Sequence, residues 1–438
     1  MSVTPVERRL SAALLELEAR GLLVRLDQIR PLALHETMVM AAALPVPASL
    51  EIERFLHAGR TVLRRQIHAY LAWLDGPGRS ARPDEQQHRF VLIRMRFNAV
   101  LSQFDTFTEV VTQRSESRTG VWLSGLDVLA ADALAITPWI QDRPEVVTYL
   151  ARGPGAAIRR ARTRLPGGDA SPVAIIRVPR ERMVGHGIAS SLVHEVGHQG
   201  AALLGLVESL REDVSRQRPL TPERVPAWRS WERWVSEVIA DLWSVAALGI
   251  SSTLGLLAVV SLPRFFVFRP SDDDPHPTPY LRVLLSCAIG AELYPHPQWA
   301  DMARTWKELY PVADLPPERQ DEFALLEAEI PAFALLLAEH RSPALQGRSL
   351  RNSFPLGQRR PQRLLKLFHQ WRSDLGVLAR QPPTLVFAVV GQARAAQLIT
   401  PEAESELLSA VLRAWALRSS LSTHQTISTT RRLQSRAS

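Results

Sequence analysis

Ser190-Ser191-Leu192-Val193-His194-Glu195-Val196-Gly197-His198-Gln199 is the stretch on which the reading of this chain turns. It carries the pattern H-E-x-x-H. In a helix, residues four apart lie one turn above each other on one face, so His194 and His198 would point the same way. Two imidazoles at that spacing can close on one metal ion, with Glu195 beside them as a proton acceptor for a water held there. Ser190 or Ser191 is a candidate helix cap, and Leu192, Val193, Val196, Leu203, Leu204 and Val207 supply apolar surface. Gly197 and Gly200 each cost a helix about 1 kcal/mol, which predicts that another element packs closely against the backbone there. A pattern with three fixed positions also arises by chance. A metal site needs a third ligand, groups that orient the ligands and a donor for developing charge.

The metzincin solution requires a glycine and a third histidine at positions that here hold Ala201 and Leu204, so it is excluded. The other common solution takes a carboxylate from a second helix. Residues Ala227 to Leu248 read as that helix, with Trp228, Trp231 and Trp234 as a stripe destined for the core. Within it, Glu237-Val238-Ile239-Ala240-Asp241 offers Glu237 as third ligand. Asp241, one turn on, can accept the outer N–H of a liganding histidine and fix its tautomer. Glu208, Glu212 and Glu232 are rivals. Of these only Glu208 has an acid four residues later, and a polar stretch follows that pair.

Val173-Ala174-Ile175-Ile176-Arg177-Val178, bounded by Pro172 and Pro179, is the best strand candidate. An exposed strand just ahead of a metal helix could pair with an extended peptide, through Ile175, Ile176 and Arg177. The preceding segment, Arg152 to Arg162, reads as a Gly-rich turn and a solvated basic helix. A phosphate site at that helix start is the lesser reading, because the residues of a P-loop are missing.

H-E-V-G-H (194–198) followed by E-V-I-A-D (237–241) resembles the gluzincin zinc peptidases. The E-x-x-A-D form, with His276-Pro277 and Arg282 beyond it, is similar to the HtpX-like and CAAX-prenyl-protease-like metallopeptidases, which carry H-P-x-x-x-x-R there. The likeness covers about residues 186–290. It implies Zn²⁺ held by His194, His198 and Glu237, with a fourth position open for water, and Asp241 behind a histidine. It implies Glu195 as general base, passing the proton to the leaving amine. His276, Tyr280 and Arg282, in that order, are the candidates to stabilise the oxyanion.

The rest of the chain reads as helices. The expected fold is mainly α: a zincin-like metal helix pair with a small β element, flanked by helical regions. Residues 1–150 would form an N-terminal helical region, 151–310 the catalytic domain, 311–419 a C-terminal helical region, and 420–438 a disordered basic tail. Leu242 to Pro263 lacks charge, but Gly249 to Thr253 divides it into pieces too short to span a bilayer.

Composition narrows the function classes. The chain of 438 residues is 46% hydrophobic and 22% charged, ordinary for a globular protein. Its net charge of +8 comes from arginines scattered among acids, with no nucleic-acid-binding pattern. Cys287 is the sole cysteine, which excludes an internal disulfide and a cysteine-based metal cluster. No secretory signal opens the chain, and a cytoplasmic location is expected. The expected function is zinc-dependent hydrolysis of a peptide or protein substrate. The alternatives are a non-catalytic or latent metal-binding scaffold, whose helical flanks meet a protein partner, and a membrane-associated protease.

Overall fold

The computed structural model describes residues 5–28, 39–153, 155–165, 170–180, 185–216, 222–269 and 274–437, with side chains from 10 to 420. Helical periodicity over the first third becomes α1 (Pro5–Gln28), α2 (Val46–Asp75), α3 (Pro83–Thr112) and α4 (Ser117–Leu134). Helices α2 and α3 carry proline in the first turn, where its missing N–H has no helical partner to lose. Three short strands follow: β1 (Val146–Ala151), β2 (Ala157–Arg159) and β3 (Ala174–Pro179).

Next come α5 (His186–Leu203), α6 (Leu206–Arg216), α7 (Val225–Leu248), α8 (Ile250–Val260) and the single turn α9 (Arg264–Val267). The chain continues with α10 (Pro279–Leu293), α11 (Gln298–Leu309), α12 (Pro317–Glu339), α13 (Pro361–Trp371), α14 (Leu375–Arg380), α15 (Pro383–Ala395) and α16 (Pro401–Ala437). The protein is mainly α-helical, as expected, with one small sheet among the described residues.

The sheet separates two hydrophobic cores. Strand residues alternate between faces, so Val147 and Ile175 join a core with α1, α2 and α3, while Val146, Ala174, Ile176 and Val178 face the other. That larger core takes α4 and everything from α5 onward. Phe387, Val390, Leu412 and Trp415 of the C-terminal helices lie in the same cluster as Leu192 and Val238. The boundary between cores therefore runs through the sheet, and α4 falls on the larger side.

Three local expectations change. The basic segment after Gly153 is not a helix: Ala157-Ile158-Arg159 pairs antiparallel with Arg177, Ile176 and Ile175 of β3. Ile158 turns inward and the residues flanking it outward, a strand alternation too short to see in isolation. Strand β3 in turn is central, not an edge, in the order β1-β3-β2. It runs parallel to β1 from Val146↔Ala174 to Ala151↔Pro179. Residues 420–437, expected to be a disordered tail, continue α16; no glycine or proline follows Pro401 to break it.

Gly249, with φ of +58°, ends α7 and turns the chain into α8. Among the described residues no helix is long and apolar enough to cross a membrane. Hydrogen bonds tie α6 to the end of α12: Ser209 Oγ lies 2.9 Å from His340 Nε2, and His340 Nδ1 lies 2.7 Å from Asp213.

Candidate metal centre

Helix α5 presents the H-E-x-x-H face and α7 presents Glu237; the two helices must approach closely for these to meet. The glycines of α5 permit it. A Cβ on Gly197 would stand 2.9 Å from the Ala240 Cα, and one on Gly200 would stand 2.4 Å from the Trp243 ring. Both distances are well inside van der Waals contact, so only glycine fits. Trp243 is anchored by its indole N–H, which donates to the Ala133 carbonyl at 3.0 Å.

The cap of α5 is not a serine. The helix begins at His186, and Gly185 before it has φ of +70°. The first amide, His186 N–H, donates to Glu404 of α16 at 2.9 Å, and His186 Nδ1 lies 2.6 Å from the same carboxylate. A buried acid from the far end of the chain thus faces the positive end of the metal helix. His186 is a helical residue held by that acid. Ser190 lies inside the helix, donating to the Ser252 carbonyl at 2.9 Å.

His194, His198 and Glu237 come together with one donor atom of each within 4.8 Å of the others. His194 Nε2 stands 3.3 Å from Glu237 Oε2, and His198 Nε2 3.4 Å from Glu237 Oε1. The imidazole planes cross at 86°. All three side chains are largely buried. The rivals are engaged elsewhere: Glu212 pairs with Arg216, and Glu232 accepts from Ser215. Glu208 is exposed on α6.

Asp241 stands behind His194. His194 Nδ1 lies 2.8 Å from Asp241 Oδ1, leaving Nε2 turned to Glu237. Arg282 grips the same carboxylate in a two-pronged contact, Nε to Oδ2 at 2.7 Å and Nη2 to Oδ1 at 2.8 Å. Burial alone would raise the Asp241 pKa, but Arg282 and His194 hold it down at about 2. Burial pushes the His194 imidazole down, yet Asp241 and Glu237 outweigh it and lift the pKa to about 9. Glu237 is held well below the usual carboxylate range: its burial is overcome by His194 and His198. A proton and a cation compete for this imidazole.

The remaining expected residues divide. His276 reaches the cluster, with Nε2 3.3 Å from Glu237 Oε2. Asp274 accepts from both its backbone N–H, at 2.9 Å, and its Nδ1, at 2.6 Å, which turns Nε2 inward. Arg282 reaches it as well, but as the clasp of Asp241. Tyr280 does not. Its hydroxyl donates to Glu327 of α12 at 2.7 Å, and its ring packs on Phe268 and Phe323. Two positions before Arg282 on α10, about 200° around its axis, it faces away from the Arg282 side. Ile175, Ile176 and Arg177 lie in the central strand, paired with β1 on one side and β2 on the other, so they offer no free edge. The chain nearest the cluster from the sheet side is instead Gly155-Ala156, leading into β2.

The residues present fit a cation. Glu237 Oε2 is buried and has no hydrogen-bond partner among the described residues, although imidazole nitrogens of His194 and His276 surround it. Two imidazoles and a carboxylate form a donor set suited to zinc, and the carboxylate behind His194 is the usual support for such a ligand. Asp274 and Glu404 escaped the sequence reading. Asp274 was legible as an acid two residues before His276, able to bond its backbone; Glu404, over two hundred residues from α5, left no local signal. No protein-family model, curated protein or solved structure matches this chain.

Proposed function

We propose that the protein is a zinc-dependent metallopeptidase of gluzincin type, acting on a peptide or protein substrate. The observation that carries this is the meeting of His194 and His198 with Glu237 while Asp241 holds the outer nitrogen of His194. Glu195 supports it further, since a site built only to hold metal needs no acid at that position. Glu195 lines a cavity of about 150 Å³ together with His194, His276 and Arg282.

A zinc ion held by His194, His198 and Glu237 would supply Lewis acidity toward a scissile carbonyl and an attacking water. The chain does the rest. Glu195 takes the proton of the incoming water and delivers it to the departing amine. Asp241, itself held by Arg282, keeps His194 in the tautomer that turns Nε2 inward. Asp274 orients His276 so that its Nε2 is turned toward Glu237 beside the cluster.

Metal analysis and a hydrolysis assay test the reading together. Purified protein should carry about one zinc per chain, the occupancy of a single three-ligand site, and His194→Ala should lose it. Glu195→Gln should retain zinc and lose peptide hydrolysis. Wild-type protein that takes up no zinc would overturn the site. A zinc-loaded chain that cleaves nothing in a broad peptide library would shift the assignment to a metal-binding scaffold.

A further inference from the structure

The cavity beside Glu195 has an unusual lining. Ser190, Ser191, Ser244, Ser252 and Ser286 line it along with Leu256 and Val259. The serines belong to four different helices, α5, α7, α8 and α10, so their convergence is a product of the fold.

Three of these hydroxyls are linked in a closed circuit. Ser190 Oγ donates to the Ser252 carbonyl at 2.9 Å, Ser252 Oγ donates to Ser244 Oγ at 2.8 Å, and Ser244 Oγ donates to the Ser190 carbonyl at 3.3 Å. A hydroxyl has one proton and two lone pairs. Each of these protons is committed, so Ser190, Ser244 and Ser252 offer only lone pairs to anything entering. Asp241 is already engaged, its Oδ1 accepting from His194 and Arg282 and its Oδ2 from Arg282. These three hydroxyls therefore form a patch of acceptors on the wall, beside the Ser191 hydroxyl and the Glu195 carboxylate.

The cavity is also small and stiff. Its volume of about 150 Å³ matches one side chain of at most ring size. A Cβ on Gly255 would stand 2.3 Å from the Ser190 Cβ, and one on Gly391 2.3 Å from the Ser251 Cβ. Helices α5, α8 and α15 are thus already in contact at their backbones, and the wall cannot retreat to admit a larger group.

Resting on the peptidase reading above, we infer that this cavity is a specificity subsite for a small hydroxyl-bearing side chain, serine or threonine, at the residue beside the scissile bond. Its committed serine circuit accepts the hydroxyl proton of the substrate. A leucine or phenylalanine would leave those acceptors buried and unpaired, the situation that gives a polar site its strongest discrimination.

Two measurements test this on the full-length, zinc-loaded chain. The first is the cleavage profile of wild-type protein on a randomised peptide library. The second is calorimetric binding to Glu195→Gln of a peptide ladder that varies one residue among Ser, Thr, Ala, Leu and Phe. Ser and Thr should exceed Leu and Phe by at least about tenfold in both. Leu256→Ala, which enlarges the cavity, should narrow that gap. Equal or tighter binding of Leu or Phe, or failure of every peptide to bind, would overturn the inference. Broad, unselective hydrolysis would overturn it too, and would leave the peptidase reading intact. Selective binding without hydrolysis by wild type would sink the peptidase reading and overturn the placement beside a scissile bond, leaving only a cavity that selects serine and threonine.

Discussion

Gly200→Ala adds one methyl group at the point where α5 meets α7. The new Cβ would lie 2.4 Å from one Trp243 ring carbon and under 3 Å from two more. Carbon atoms pack best at about 3.5–4.0 Å, so the ring or the helix must yield by roughly 1 Å. Trp243 is fully buried and its indole is bonded to Ala133, which leaves movement of the helices as the way out. Overpacking of this kind costs about 1–3 kcal/mol, offset by about 1 kcal/mol of gained helix propensity.

The expected net loss is up to about 2 kcal/mol, and Glu237 moves away from His194 and His198. Zinc affinity should fall by at least about tenfold, as when other supports of a metal ligand are removed. Gly187→Ala, on the same helix, is the matched control. Its Cβ would meet no atom within 4 Å, so the propensity gain, up to about 1 kcal/mol, stands alone. Urea unfolding and zinc competition with a chelating dye read both effects. If Gly200→Ala is as stable as Gly187→Ala and binds zinc like wild type, the close-packing account of the helix pair is wrong.

Asp241→Asn should weaken zinc binding by about 10–100-fold while leaving the helical circular dichroism unchanged, because the carboxylate supports His194 and Asn keeps its shape and volume; unaltered affinity in the dye assay would refute that role. Tyr280→Phe should cost about 1 kcal/mol of stability through the lost bond to Glu327 and leave the turnover of any cleaved peptide unchanged; a large fall in turnover would return the hydroxyl to catalysis. Glu329, buried and bonded to Arg224 and to the Trp228 indole at 2.9 Å, has its pKa lowered by the arginine first and then by the indole, against its burial. A depressed folded pKa means stabilisation present above the unfolded value of about 4.3 and lost as pH falls through the folded one. Glu329→Gln should therefore be less stable by about 1.5–3 kcal/mol at neutral pH, and the gap in urea midpoints should close in acid; a gap that persists below pH ~3 would show that charge is not its source.

The parts of the site that were legible follow short periods. His194 and His198 share a face because the helix repeats every few residues whatever surrounds it, and Glu237 with Asp241 obeys the same rule on α7. The glycines at 197 and 200 announced a close neighbour, since a helix does not keep them for its own stability. Tyr280 shares a motif with His276 and Arg282, but two positions before Arg282 on one helix it lies on the opposite face. Arg152 to Arg162 looked helical because three-residue β2 is shorter than any reliable alternation. Its pairing with β3 then removed the open edge expected at Ile175 and Ile176.

By itself, the sequence determined a mainly helical protein and a two-helix cluster of His194, His198 and Glu237, because both rest on local backbone periodicity and on the chemistry of the side chains. Only the tertiary structure decided which acids stand behind the cluster, that Glu404 faces the start of α5, that Tyr280 turns toward Glu327, and that four helices bring their serines to one small cavity. Those outcomes depend on contacts between residues far apart in the chain, which packing alone selects.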